Sequence, residues 1–177
     1  MTIVCGYKDA EGAIWMGCDS RTTGGSFIFP EQVEKIFRFG PWTLGHSGQG
    51  SGCDLLRRKG GPKIAAAETP EDVSEILQGL YKEADFRKRP DDDGAPDYAQ
   101  NHILASATEL CGIYGDGSII RPSWGFLAIG SGSPYAYGAA CVARALVGGS
   151  ALVDLALRAA VEFNADCGLP LRIIRVE

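Results

Sequence analysis

Residue 2 of the 177-residue chain is a threonine placed directly after the initiator methionine. Removal of Met1 would leave a hydroxyl and a free α-amine on one residue, and an α-amine titrates near ~7.7–8.0, a range suited to a general base at neutral pH. A threonine activated by its own terminal amine is one route to hydroxyl attack on a carbonyl. Most standard catalytic motifs are missing from the chain. There is no GxxxxGK[ST] phosphate loop, and Gly48-Gln49-Gly50-Ser51-Gly52 lacks the spacing of a dinucleotide fingerprint. No serine has glycine at both −2 and +2, so the nucleophile elbow is absent too. His46 and Ser47 are adjacent, and on a strand adjacent side chains point to opposite faces.

Composition narrows the classes further. With 45% apolar and 22% charged residues the chain can bury a core, and its length fits a single domain over residues 1–177. Net charge is −5, and no Lys/Arg tract is longer than Arg57-Arg58-Lys59, which argues against a nucleic-acid partner. The uncharged stretch 122–143 is broken by prolines, glycines and serines and reads as strand, turn and helix, not as a membrane span. The first residues lack the basic flank and apolar run of a secretory signal, so a cytoplasmic location is expected. Six single cysteines with no CxxC pair, beside only two histidines, read as buried reduced thiols and give no metal site.

Thr2 can work only if strands and turns bring partners to it. Residues 2–7 and 13–19 are β-prone runs flanking the turn composition Lys8-Asp9-Ala10-Glu11-Gly12, which predicts an opening hairpin. A loop with an even number of residues, pairing i with 21−i, sets Thr2 opposite Asp19; an odd loop, pairing i with 20−i, sets Met1 there. Residues 33–39 alternate in polarity and turn at Gly40-Pro41 into Trp42-Thr43-Leu44, a second hairpin. A glycine-rich approach, residues 45–52, leads into a helix that ends near Gly60-Gly61-Pro62. The next helix has Thr69 as its cap, Pro70 at its first position, and an apolar face at Val73, Ile76, Leu77, Leu80, Tyr81 and Ala84. Residues 87–97 read as an exposed loop. Strands follow at 102–108, 110–114, 118–121 and 126–129, then helices at 134–146 and 151–165, the latter capped by Ser150, and a last strand at 171–176. Blocks of antiparallel strands followed by helix pairs predict an α+β fold of two face-to-face sheets with a helix pair outside each, a four-layer αββα sandwich.

Thr2-Ile3-Val4, Gly17-Cys18-Asp19-Ser20-Arg21, Val33-Glu34-Lys35-Ile36, Gly45-His46-Ser47-Gly48 and above all Gly130-Ser131-Gly132-Ser133-Pro134-Tyr135-Ala136-Tyr137-Gly138 together resemble the proteasome β-subunit and HslV peptidase family of N-terminal nucleophile hydrolases. The similarity spans essentially the whole chain. Asp19 and Lys35 stand sixteen residues apart, as the family's paired aspartate and lysine do.

The resemblance implies Thr2 as nucleophile with its amine as base, Lys35 lowering the proton affinity of the threonine, Asp19 holding Lys35, and Ser131 in the proton network near the amine. It implies the Gly48 amide as an oxyanion donor and Ser47, Gly48, Gln49 and Gly50 bordering the pocket for the substrate side chain. The proteasome's later aspartate and serine fall on Asn164 and Cys167. An ungapped comparison of Met1-Thr2-Ile3-Val4 with the family's Thr-Thr-Ile-Val sets Met1 first; Thr2 takes that place if the hairpin carries a one-residue insertion. Apart from the resemblance, Asp19 and Lys35 read as an ordinary ion pair, Ser131 as a helix cap and Gly48 as a tight turn. The implied function is a threonine endopeptidase in a homo-oligomeric ring, acting on peptide or unfolded-protein substrate without metal or organic cofactor, with an ATP-dependent unfoldase as a possible partner. The alternatives are a catalytically inactive homologue serving as a ring scaffold, and an amidase that uses the same nucleophile on small molecules.

Overall fold

The computed structural model describes residues 2–24, 27–29, 33–86 and 98–177. Its opening hairpin pairs β1 (Val4–Lys8) with β2 (Ile14–Asp19), and the short strands β3 (Thr22–Gly24) and β4 (Phe27–Phe29) form a second, small hairpin that the polarity pattern does not announce. The register departs from both expected ones. Lys8 pairs with Ile14 and Val4 with Cys18, so i pairs with 22−i and five residues make the turn. Asp9 is the cause: its amide donates to the Ala13 carbonyl at 2.9 Å, its carboxylate accepts the Ala13 amide at 2.8 Å, and Gly12 supplies the left-handed φ of +85° inside that closure.

A five-stranded antiparallel sheet follows: β5 (Ile36–Phe39), β6 (Trp42–Ser47), β7 (Asn101–Ala105), β8 (Leu110–Ile113) and β9 (Ile119–Ile120), in that order. The ladder of β5 starts at Ile36, later than the alternation from residue 33 suggests. Strands β10 (Phe126–Ile129) and β11 (Leu171–Val176) flank the opening hairpin in the order β10-β1-β2-β11. The helices are α1 (Gly50–Leu55), α2 (Gly61–Ala65), α3 (Pro70–Glu83), α4 (Ser133–Ala143) and α5 (Gly149–Phe163).

Three apolar layers hold this together. Side chains of β1 alternate between faces. Val4, with Met16 and Cys18, meets Ile36, Ile103 and Leu110 of the other sheet, whereas Ile3 and Cys5 meet Leu152, Val153, Ala156 and Leu157 of α5. Leu44, Leu104 and Cys111 of the second sheet pack on Leu56, Ile64, Leu77 and Tyr81 from the α1–α3 side. The four-layer α+β arrangement expected from the element order is the one observed.

Some boundaries differ from expectation. The first helix does not stop near residues 60–62: a π turn (Leu56–Gly60) carries α1 into α2, with Pro62 in the first turn of α2. Ser150 does not cap α5. Gly148 is the cap residue, the chain reverses at Gly149 with φ +58°, and Ser150 sits inside the first turn. Thr69 does cap α3, through a reciprocal box in which it accepts the Asp72 amide at 3.1 Å and donates its own to the Asp72 carboxylate at 2.9 Å. Of the six thiols, five are buried and Cys141 is exposed, contrary to the uniform burial expected. The loop expected at 87–97 lies outside the described residues. Among the described residues no helix is long and apolar enough to cross a membrane.

Candidate active site

Asp19, the last residue of β2, is fully buried, and its carboxylate collects five donors. Oδ1 accepts from the Thr2 hydroxyl at 2.6 Å, the Lys35 ammonium at 2.6 Å and the Ile3 amide at 3.0 Å. Oδ2 accepts from the amides of Gly168 at 3.1 Å and Arg21 at 3.2 Å. Because Ile3 N–H is taken by the side chain, the β1 ladder ends there and Thr2 stands beyond it. With the 22−i register Asp19 lies across from Ile3, its amide donating to the Ile3 carbonyl at 3.2 Å, and it reaches Thr2 by one residue's offset along the strand. The direct Thr2–Asp19 apposition expected from an even loop is therefore replaced by a diagonal contact between the same two residues.

Lys35 enters from the residue just before β5 and is 6% exposed; its second bond goes to the Arg21 carbonyl at 2.8 Å. Two buried charges in contact are tolerable when the remaining polar atoms are hydrogen-bonded. Thr2, 5% exposed, and Lys35 both open onto a cavity of about 80 Å³, which Thr22, Val33, His46, Gly48, Gly50 and Cys53 also line. Burial pushes the Cys53 thiol up to about 11, so it stays protonated at neutral pH and is a poor nucleophile. Burial is also the main reason that His46 is lowered to about 4, with Lys35 pushing the same way. His46 is a neutral wall of the cavity at pH 7.

On the other side of Thr2, the turn after β10 presses on its backbone. The Thr2 carbonyl accepts the Gly132 amide at 3.3 Å, and the Ser131 hydroxyl lies 3.5 Å from it. A Cβ on Gly130, which has φ +100°, would sit 2.2 Å from that carbonyl oxygen, so only glycine admits the approach. Asn164 donates to the Ser131 carbonyl at 2.8 Å, which ties the end of α5 to this turn.

Of the residues singled out in the sequence, Thr2, Lys35, Gly48 and Gly50 line the cavity and Asp19 lies directly behind it. Ser131 touches the Thr2 main chain, while Ser47 and Gln49 are not among the lining residues. Sequence reasoning missed His46, two residues before Gly48, and Thr22, Val33 and Cys53 as lining residues. It also missed Gln100, fully buried, whose Oε1 accepts the Gln49 amide at 3.1 Å.

No protein-family model matches the chain, and no curated protein is significantly similar in sequence. Solved structures match over its full length. BPH of Thiobacillus denitrificans superposes with a TM-score of 0.81 at 26% identity, over 100% of this chain and 98% of that one. The same protein in complex with epoxomicin gives 0.82 at 24% identity, over 99% and 98%. Eukaryotic HslV from Trypanosoma brucei gives 0.72 at 24% identity over 99% of both chains. Anbu, the ancestral β-subunit, from Yersinia bercovieri gives 0.71 at 18% over 98% and 80%.

Proposed function

Starting from a chain that has the proteasome β-type fold of the N-terminal nucleophile hydrolases, we propose that it is a threonine peptidase whose nucleophile is the Thr2 hydroxyl, freed for work when Met1 is removed. The observation that carries this reading is the single Asp19 oxygen shared by the Thr2 hydroxyl and the Lys35 ammonium, at 2.6 Å each, on the wall of a cavity. A cation held there favours the alkoxide form of the hydroxyl, and Asp19 fixes that cation.

In the proposed reaction the Thr2 α-amine takes the hydroxyl proton as Oγ1 bonds to the substrate carbonyl carbon. The tetrahedral oxyanion is stabilised by the Gly48 amide. The amine then returns the proton to the leaving nitrogen as the C–N bond breaks, leaving an ester on Thr2. Water, deprotonated by the same amine, cleaves the ester and restores the hydroxyl. Ser131, beside the Thr2 main chain, belongs to the proton network around the amine in this reading. No step needs a metal or an organic cofactor. The subunit is proposed to work in a homo-oligomeric ring that encloses the sites, fed with unfolded protein by an ATP-driven partner.

Intact-mass measurement combined with hydrolysis of fluorogenic peptides tests the reading. Loss of Met1, turnover, and its suppression by epoxomicin, which the Thiobacillus denitrificans protein binds, are the expected results. A Met1-free protein that cleaves neither peptides nor small amides would sink it. Small amides preferred over extended peptides would move the assignment to an amidase, since a peptidase gains main-chain hydrogen bonds along its cleft.

One observation favours a second reading, a catalytically silent shell. The Thr2 hydroxyl is almost wholly buried and already bonded to a carboxylate, and Ile3 is the residue across from Asp19. Retention of Met1 on protein from its native host would select that alternative.

A further inference from the structure

The turn that carries Gly48 is gripped at one residue, Gln49, through the two successive peptides that flank it. The Gln49 amide donates to Gln100 Oε1 at 3.1 Å. The Gln49 carbonyl accepts the Gly52 amide at 2.9 Å and lies 3.3 Å from His46 Nε2, which donates to it when the ring carries its proton there. Gln100 is in turn braced by its Nε2, which donates to the Tyr98 carbonyl at 3.3 Å, and His46 Nδ1 lies 3.2 Å from Nε2 of buried His102. The fit is close. A Cβ on Gly48 would come within 2.2 Å of Gln100 Oε1, and one on Gly52 within 2.7 Å of the same atom and 2.9 Å of the His46 ring. Gly48 and Gly52 therefore lack side chains because the Gln100 amide occupies that volume, not because the turn needs a left-handed residue.

We propose that Gln100 is a positioning residue for the proposed hydrolysis: it fixes the peptide that follows Gly48 and packs against the Gly48 Cα, so that the Gly48 amide is held toward the cavity before substrate arrives. The inference rests on the assignment of Gly48 as oxyanion donor. An amide that must meet a developing charge is useful only if it does not reorient during the reaction, and a side chain seated on its neighbour supplies that rigidity.

The tests are Gln100→Leu and Gln100→Glu in the full chain. Leucine fills the space without accepting the Gln49 amide. For a folded Gln100→Leu, kcat on a peptide substrate should fall ~10–100-fold with KM within about twofold, the pattern of an interaction used only in the transition state. Hydrogen exchange across residues 47–52 should quicken at least ~10-fold while the rest of β6 and β7 keep their protection. Gln100→Glu adds a readout that a merely structural role would not move. A protonated carboxyl can accept from Gln49 and donate to Tyr98, whereas a carboxylate faces the Tyr98 carbonyl with no proton to give. The ratio of Gln100→Glu to unsubstituted kcat should accordingly fall as pH rises, at temperatures where both are folded, and this arm stands if Gln100→Leu fails to fold.

Unchanged kcat with unchanged exchange in a folded Gln100→Leu, or a pH-independent Gln100→Glu ratio, overturns the inference and leaves the nucleophile assignment intact. If the unsubstituted chain hydrolyses nothing, the functional reading fails, and slow exchange at residues 47–52 in Gln100→Leu would remove the grip as well.

Discussion

Thr2 and Asp19 meet on the diagonal. The hydroxyl of the one lies 2.6 Å from Oδ1 of the other, although the residue across the strand from Asp19 is Ile3. The contact exists because the β1 ladder gives out at Ile3, whose amide turns to the Asp19 side chain at 3.0 Å, and the chain is free beyond that point to swing its hydroxyl onto the same oxygen.

Thr2→Ala removes the proposed nucleophile and one charge-assisted hydrogen bond. Peptide hydrolysis should drop by at least ~10³-fold. Stability should fall by only about 1.5–3 kcal/mol, because the Ile3 amide and the Gly132 contact are main-chain bonds that alanine keeps. Turnover assays beside urea unfolding of the same samples check both halves.

The two partners of the buried ion pair should respond unequally. Asp19→Ala leaves the Lys35 ammonium with the Arg21 carbonyl among its described partners and should cost about 3–5 kcal/mol. Lys35→Ala leaves a carboxylate that still accepts Thr2 Oγ1 and three amides, so it should cost less stability while abolishing nearly as much activity. Chemical denaturation of the two variants gives the ranking, and an equal or reversed order would contradict the donor count at Asp19.

Acid should destabilise the fold through His46 and His102. Burial lowers His46 from 6.5 to about 4 and holds His102 well below its ordinary value, so the native state keeps both rings neutral. Between about pH 6.5 and 4 the unfolded chain binds more protons than the native one, so stability is complete above the unfolded value and declines as pH falls through that window. His46 alone accounts for a loss on the order of 3 kcal/mol near pH 4. Urea midpoints at pH 7.5, 6 and 4.5 should decrease in that order, and His46→Gln should flatten the slope.

Thr69→Ala breaks the capping box of α3, remote from the cavity. The cost should be ~1 kcal/mol with kcat unchanged. Thermal unfolding and the peptide assay report the two quantities separately.

Much of the architecture is legible in the sequence because it is written in local chemistry. Strand alternation separates Val4 from Ile3 and Cys5, and Thr69-Pro70-Glu71-Asp72 spells a helix start in adjacent residues. The Asp19–Lys35 pair is legible only through its spacing in a family resemblance, and the structure gives it as a 2.6 Å contact. The hairpin register was not legible, since it depends on the Asp9 side chain closing a five-residue turn, a choice among near-equal loops. Gln100 was not legible either. A buried glutamine between Tyr98 and the turn at Gln49 is defined by partners 2 and 51 positions away, and no local pattern marks it.

The fifth donor to Asp19 comes from Gly168, 149 positions along the chain, and β11 completes the sheet edge beside it. A nascent chain emerging from the ribosome carries the proposed nucleophile, Thr2, from the first moments of synthesis, yet the carboxylate bonded to it lacks its fifth donor until residue 168 has been made and docked. If Thr2 acts as proposed, translation itself thereby postpones the onset of cutting.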